Sequence, residues 1–276
     1  MRIYLLIFVS FLASQGFSQE ITGRAFYTSM YKFDEPDFDQ EQMQDPRTKA
    51  LAEQLKQGFQ DQYQLDFTQE ESIFKKLPKL ETPDPKRGSM SISVSVVGDD
   101  EILYKSIKEN QLVNETELYG KPFLIQDDLE IRDWKLSKES KTIGEYVCFK
   151  ATYVPSAEDK DKDEDEDEDE NEDTTRLRSG IDDKDEDKEI IAWYTPQIPV
   201  KNGPKNYEGL PGLILELQDG NLKFLCTKIV LNPEEKVVIT KPTKGKKVNQ
   251  KEFKAIVDKK NEEMMENFKS QKRRRD

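Results

Sequence analysis

Histidine is absent from this chain. Its absence removes the commonest general base, the commonest metal ligand and every Ser-His or Cys-His nucleophilic pair. Cysteine is nearly absent too: Cys148 and Cys226 stand alone, neither in a CxxC spacing, so zinc and dithiol redox sites have no support. No phosphate-cradling glycine pattern occurs. Beyond the N-terminus no apolar run approaches the ~20 residues that a membrane-spanning helix needs. What remains for catalysis is a carboxylate pair, which needs only two acids. Asp127, Asp128, Glu130 and Asp133 cluster before Trp134, but such clusters as a rule occupy exposed turns, so a non-enzymatic protein is expected.

The N-terminus carries one basic residue, Arg2, then "IYLLIFVSFLA", then small and polar residues to Gln19. That is the pattern of a secretory signal peptide over residues 1–18, cut after Ser18. No cysteine follows the apolar run, so a lipid anchor is not expected, and the mature protein is placed in the periplasm or otherwise outside the cytoplasm.

Charged residues make up 36% of the 276 and hydrophobic ones 34%, an imbalance with a local cause. Residues 157–189 hold 19 Asp/Glu and 6 Lys/Arg, a net charge of −13, which is also the net charge of the whole chain. The body is therefore charge-balanced, and nothing in it suggests nucleic acid as a partner. The segment lacks apolar residues to offset its ordering entropy and is expected to be a disordered, solvated insert. Cation buffering is the rival reading, although the glycine and ligand spacing of an EF-hand are missing.

Alternation of apolar and polar residues between turn signals predicts an antiparallel sheet. The strand-like stretches are 20–34, "QYQLDFTQEESIFKKL", "EILYKSIKENQLVNETELYGKPFLIQD", "WKLSKESKTIGEYVCFKATYVP", "EIIAWYTPQIPV", "LILELQD", "LKFLCTKIVL" and "KVVITKP". Asp45-Pro46 predicts a helix start, with Leu51, Leu55 and Phe59 on one face. Phe253, Val257, Met264 and Phe268 predict a C-terminal helix, followed by the basic tail 271–276 with Lys272 to Arg275. The fold class expected is α+β: one domain over 19–270, a large antiparallel sheet with an early and a C-terminal helix. Both cysteines lie in strand-like runs, which leaves a disulfide and two buried free thiols open.

The segment "NYEGLPGLILEL" places two glycines and a proline inside a run of Leu and Ile. Glycine permits backbone angles closed to other residues and proline fixes its own φ, so Gly209–Gly212 is expected to be a bend delivering Leu213–Leu217 into a core. Asp219-Gly220 then marks the next turn.

With "KTIGEYVCFKATY" upstream, "IIAWYTPQIPVKNGPKNYEGLPGLILEL" resembles the GLPGLI family of secreted Bacteroidota proteins, named for the hexapeptide Gly209, Leu210, Pro211, Gly212, Leu213 and Ile214. The likeness extends to Gly144, Tyr146, Cys148, Lys150 and Ala151, to Ala192–Pro196, to Ile198 and Pro199, and to Gly203 and Pro204, within residues 134 to 230. The acidic insert departs from the family's short connection. The resemblance implies an envelope protein of uncharacterised function, of a kind often encoded near outer-membrane transport systems of the TonB-dependent type. In outline the sheet is similar to the half-barrel of periplasmic lipoprotein carriers, an analogy that transfers no function.

Trp193, Tyr194, Pro196, Pro199, Pro204 and Tyr207 put rigid apolar groups beside the motif. They are candidates for holding an apolar ligand or a peptide in the concave face of the sheet, or for docking on an outer-membrane transporter. The competing reading is that they are core. No cofactor is expected.

Overall fold

The computed structural model describes residues 21–31, 45, 48, 59–78, 101–155 and 189–273. The expected signal peptide over residues 1–18, the acidic segment 157–189 apart from Glu189, and the tail beyond Arg273 lie outside the described residues. So does the early helix, except that Thr48 is helical and its hydroxyl donates to the Asp45 carboxylate at 3.4 Å.

Twelve strands form one open sheet among the described residues. In chain order they are β1 (Gly23–Tyr31), β2 (Phe59–Phe67), β3 (Glu71–Lys76), β4 (Ile102–Ser106), β5 (Gln111–Leu118) and β6 (Lys121–Asp128). Then follow β7 (Lys135–Ile143), β8 (Tyr146–Tyr153), β9 (Ile190–Thr195), β10 (Leu213–Asp219), β11 (Leu222–Leu231) and β12 (Lys246–Val248). A helix, α1 (Gln250–Arg273), follows them. The spatial order is β12-β6-β5-β4-β3-β2-β1-β11-β10-β9-β8-β7. Two meanders, β1 to β6 and β7 to β11, are thus joined where β11 pairs antiparallel with β1.

The fold is therefore mainly β, which corrects the expected α+β class. Phe59 is no part of a helix face; it opens β2 opposite Tyr31. The sheet is also mixed, because β12 pairs with β6 in parallel. "KVVITKP" has strand composition but joins no ladder. It belongs to a strap, residues 232–245, whose Val237 is buried and whose Ile239 covers Tyr104, Val113 and Leu124.

Period-2 alternation explains which face is buried. On β1 the residues Gly23, Ala25, Tyr27 and Ser29 are buried while the residues between them are half-buried. Ala25 pairs with Leu65, Leu65 with Phe74 and Phe74 with Leu103, so one continuous apolar band crosses β1 to β4. The main core cluster contains this band together with Ile198, Val200, Tyr207 and Leu210 from the connection between β9 and β10. Residues 196–212 accordingly serve as the second layer that an open sheet needs if its apolar face is to leave water.

The helix covers the far end of the same face. Phe253, Ile256 and Val257 pack on Leu118, Phe123, Ile125 and Val248. Its start is held by Asn249, whose side chain accepts from the Glu252 N–H at 2.7 Å while Glu252 accepts from the Asn249 N–H at 3.0 Å. That is a reciprocal capping box. Met264, expected on the buried stripe, is 54% exposed, because the helix meets the sheet chiefly at β6. The Phe268 side chain lies outside the described residues.

Candidate functional site

The bend after Glu208 is where local sequence and tertiary structure meet. Gly209 has φ +94°, a left-handed backbone region that side-chain-bearing residues rarely enter. Gly212 is needed for a different reason: a β-carbon there would lie 2.2 Å from the Thr195 carbonyl oxygen. The two glycines let the chain turn sharply and then run hard against the end of β9. Beyond them Leu213, Ile214, Leu215 and Leu217 are all buried, and β10 ends at Asp219, as expected. The Tyr27 hydroxyl donates to the Ile214 carbonyl at 2.7 Å, tying the bend to the central strand.

The stretch just before the bend is held by side chains instead of by a ladder. Lys105, on β4 and wholly buried, donates to the carbonyls of Gly203 at 3.2 Å and Tyr207 at 3.3 Å. Arg132 donates to the Asn206 carbonyl at 2.8 Å and places its guanidinium 4.7 Å from the centre of the Tyr207 ring. The Trp134 indole N–H donates to the Glu208 carbonyl at 3.0 Å. These bonds satisfy carbonyl groups that would otherwise be buried without donors.

Both cations also converge on one carboxylate. Glu208 Oε2 lies 3.3 Å from Lys105 Nζ, and Glu208 Oε1 lies 3.5 Å from Arg132 Nη1. The side chains of Lys105, Arg132 and Glu208 are 0%, 4% and 5% exposed. Arg132 has a second, more exposed partner in Glu130. Burial pushes the Lys105 ammonium below the ordinary lysine range, against the pull of Glu208. Burial likewise pushes the Glu208 carboxyl above the ordinary carboxylate range, opposed by Lys105 and Arg132. The fit is incomplete: the Lys105 contact with Glu208 Oε2 is poorly aligned for a hydrogen bond, and Asn202 Nδ2 is buried without one, although Asn202 Oδ1 accepts from the Ser72 hydroxyl at 2.8 Å.

The residues singled out from the sequence do not form one surface. Trp193 and Tyr194 are consecutive on β9 and therefore point to opposite faces. Tyr194 belongs to the core cluster, whereas Trp193 stands beside Lys141, whose ammonium is 4.2 Å from its ring centre. That same Lys141, with Lys223, pairs with Glu216 at 2.7 Å and 2.9 Å. Pro196 and Pro199 are exposed, and Ile198 between them is buried. Tyr207 is core, its hydroxyl donating to Asp219 at 2.6 Å.

The four clustered acids are also dispersed. Asp127 accepts from the Gln250 N–H at 2.8 Å and so supports the helix start, Glu130 pairs with Arg132, and Asp128 and Asp133 are exposed. Among the described residues no group of three or more Cys, Asp or Glu could hold a metal ion, and no helix is long and apolar enough to cross a membrane.

Cys148 and Cys226 are both buried free thiols. They sit on β8 and β11 with β9 and β10 between them. No bond joins them in the structure, and Cys148 is close enough to add to the upward shift of the Cys226 thiol. Burial raises both thiols, Cys148 to about 11 and Cys226 to about 12.

Sequence reasoning missed Lys105, Arg132 and Glu208. One signal was there: Lys105 shares a strand face with Leu103 in "ILYKS", so period-2 reading places a lysine on the apolar side.

A family model described as a protein of unknown function (Porph_ging) matches residues 134–216, from Trp134 through the motif to Glu216. That family is associated with Bacteroidota. No curated protein matches this chain. Among solved structures, PNGF-II in its C2 space group is similar at 13% identity and a TM-score of 0.48, covering 86% of this chain and 32% of that one. PNGF-II in its P21 space group is similar at 14% identity and a TM-score of 0.43, covering 78% of this chain and 29% of that one. The chain thus spans about a third of the length of the structures it resembles.

Proposed function

We propose that this is a non-enzymatic cell-envelope protein of the GLPGLI type, secreted to the periplasm, that binds an apolar ligand or a peptide on the sheet face beneath residues 196–212. The observation that carries the reading is the nature of the cover. That face is closed by a connection between two strands, and the connection is fastened at Gly203–Glu208 by exchangeable polar bonds to Lys105, Arg132 and Trp134. Taking up a ligand then means moving a loop, and loops are the elements that natural binding sites move.

A second reading, partnership with an outer-membrane transport system of the TonB-dependent type, is favoured by the completeness of the core. Ile198 and Leu210 of the cover are wholly buried while Pro196, Pro199 and Pro211 remain exposed as a rim. Native mass spectrometry of the mature protein from its own envelope separates the two. Extra mass that leaves on denaturation supports the carrier. Bare protein together with a stoichiometric barrel protein supports the docking partner and counts against the carrier.

A further inference from the structure

Two cations that close on a single buried carboxylate form an anion site, whichever molecule supplies the carboxylate. Here the chain supplies its own, Glu208, at the end of a loop and flanked by the two backbone carbonyls that also bind Lys105. We propose that Glu208 is a built-in stand-in for a ligand's carboxylate: Lys105 and Arg132 receive the carboxylate head of an amphiphile, and its apolar body takes the place of the loop on the sheet face. This rests on the ligand-binding reading above and names the chemistry of the ligand.

The constraint comes from Lys105. Its ammonium projects from β4 on the same face as Leu103 and Phe74, and all three of its attractive partners, the Gly203 and Tyr207 carbonyls and Glu208, come from one short stretch of the loop. If that stretch moves and nothing replaces it, an ammonium is left unpaired in an apolar surround, which is strongly disfavoured. A displaced loop therefore requires a substitute anion, and a carboxylate restores the ion pair like for like. Arg132 stays anchored during the exchange because Glu130 holds it independently. Glu208 Oε2 meets the Lys105 ammonium at 3.3 Å but out of good hydrogen-bond alignment, which leaves room for a competitor that aligns better. A phosphate head is less suited, since Glu130 sets an acid beside the site. The apolar groups lining the face select a ligand with one charged end. A fatty acid and the free C-terminus of an apolar peptide share that chemistry.

The test is calorimetric titration of the delipidated mature protein with decanoate and decanol, and with an apolar hexapeptide as free acid and as C-terminal amide. The acid of at least one pair is expected to bind at one site, about tenfold or more tightly than its neutral analogue, the ratio a charge-assisted contact supplies. Glu208→Gln, which removes the competing charge, is expected to tighten that binding several-fold, and Lys105→Met to erase the preference for the acid. The comparison of acid with neutral analogue on the unmutated protein decides the matter even if Lys105→Met fails to fold. Equal binding of acid and neutral analogue, or weaker binding of the acid to folded Glu208→Gln, overturns the carboxylate site and leaves the apolar-ligand reading standing. Absence of binding by every probe, in both the unmutated protein and folded Glu208→Gln, overturns both.

Discussion

Gly212 lies so close to Thr195 that a β-carbon on it would meet the Thr195 carbonyl oxygen at 2.2 Å. Backbone cannot yield there as a side chain would, so Gly212→Ala is expected to cost more than about 2 kcal/mol, as overpacking against a fixed wall does. Gly209→Ala meets nothing closer than Trp134 at 3.9 Å and pays only for φ +94°, about 1–2 kcal/mol. Urea midpoints of the two variants check the order. Equal losses would contradict a fixed wall at the Thr195 carbonyl.

Phe253 and Met264 share a helical stripe but not a fate. Phe253 packs edge-on against Phe123, with ring centres 5.3 Å apart, whereas Met264 is exposed. Phe253→Ala is expected to cost about 3 kcal/mol, and Met264→Ala less than about 0.5 kcal/mol. Thermal unfolding followed by circular dichroism measures both.

Glu208 and Glu216 should give opposite pH signatures. Burial raises Glu208, so between its ordinary value near 4.5 and its raised folded value the unfolded chain loses the proton first and stability falls as pH rises. At Glu216 burial also pushes upward, but the hydrogen bonds from Lys141 and Lys223 outweigh it and hold the carboxyl below the ordinary value. Its contribution is therefore present above pH 4.5 and lost as pH falls. Urea midpoints of Glu208→Gln and Glu216→Gln from pH 3 to 7, each set against the unmutated protein, are expected to differ with slopes of opposite sign. Parallel slopes would contradict the assigned environments.

The thiols are expected to be inert. With Cys148 raised to about 11 and Cys226 to about 12, neither forms thiolate near neutral pH. A chromogenic disulfide reagent at pH 8 should leave the folded protein unmodified and label both cysteines after denaturation without reductant. A denatured protein that shows no free thiol would contradict the two free thiols of the structure.

What the sequence makes legible follows from local physics. Alternation marks strands such as β1 and β3, where buried residues alternate with more accessible ones, and the glycines of the motif announce their bend because side-chain-bearing residues suit it poorly. Partner supply is not local. "KVVITKP" alternates like a strand, yet Lys246–Val248 has taken the edge at β6, so Val237 and Ile239 cover a sheet face instead of extending it. The stripe through Phe253 and Val257 is real, and Met264 lies beyond the packed turns. Trp193 and Tyr194 look like neighbours on one patch until the strand sends them to opposite faces. Lys105 and Glu208 are about a hundred positions apart in the chain, and neither has a nearby residue that hints at the other.

The contact of Lys105 with Glu208 is also where the account is most directly tested, by a double-mutant cycle read in urea. Lys105→Met alone leaves a buried carboxylate and two carbonyls short of a partner, and is expected to lose about 3–5 kcal/mol. Adding Glu208→Gln should return part of that loss, because the stranded charge goes with it. A double variant more stable than Lys105→Met alone is the expected result. Losses that simply add would contradict the claim that these two side chains together hold the motif loop on the sheet.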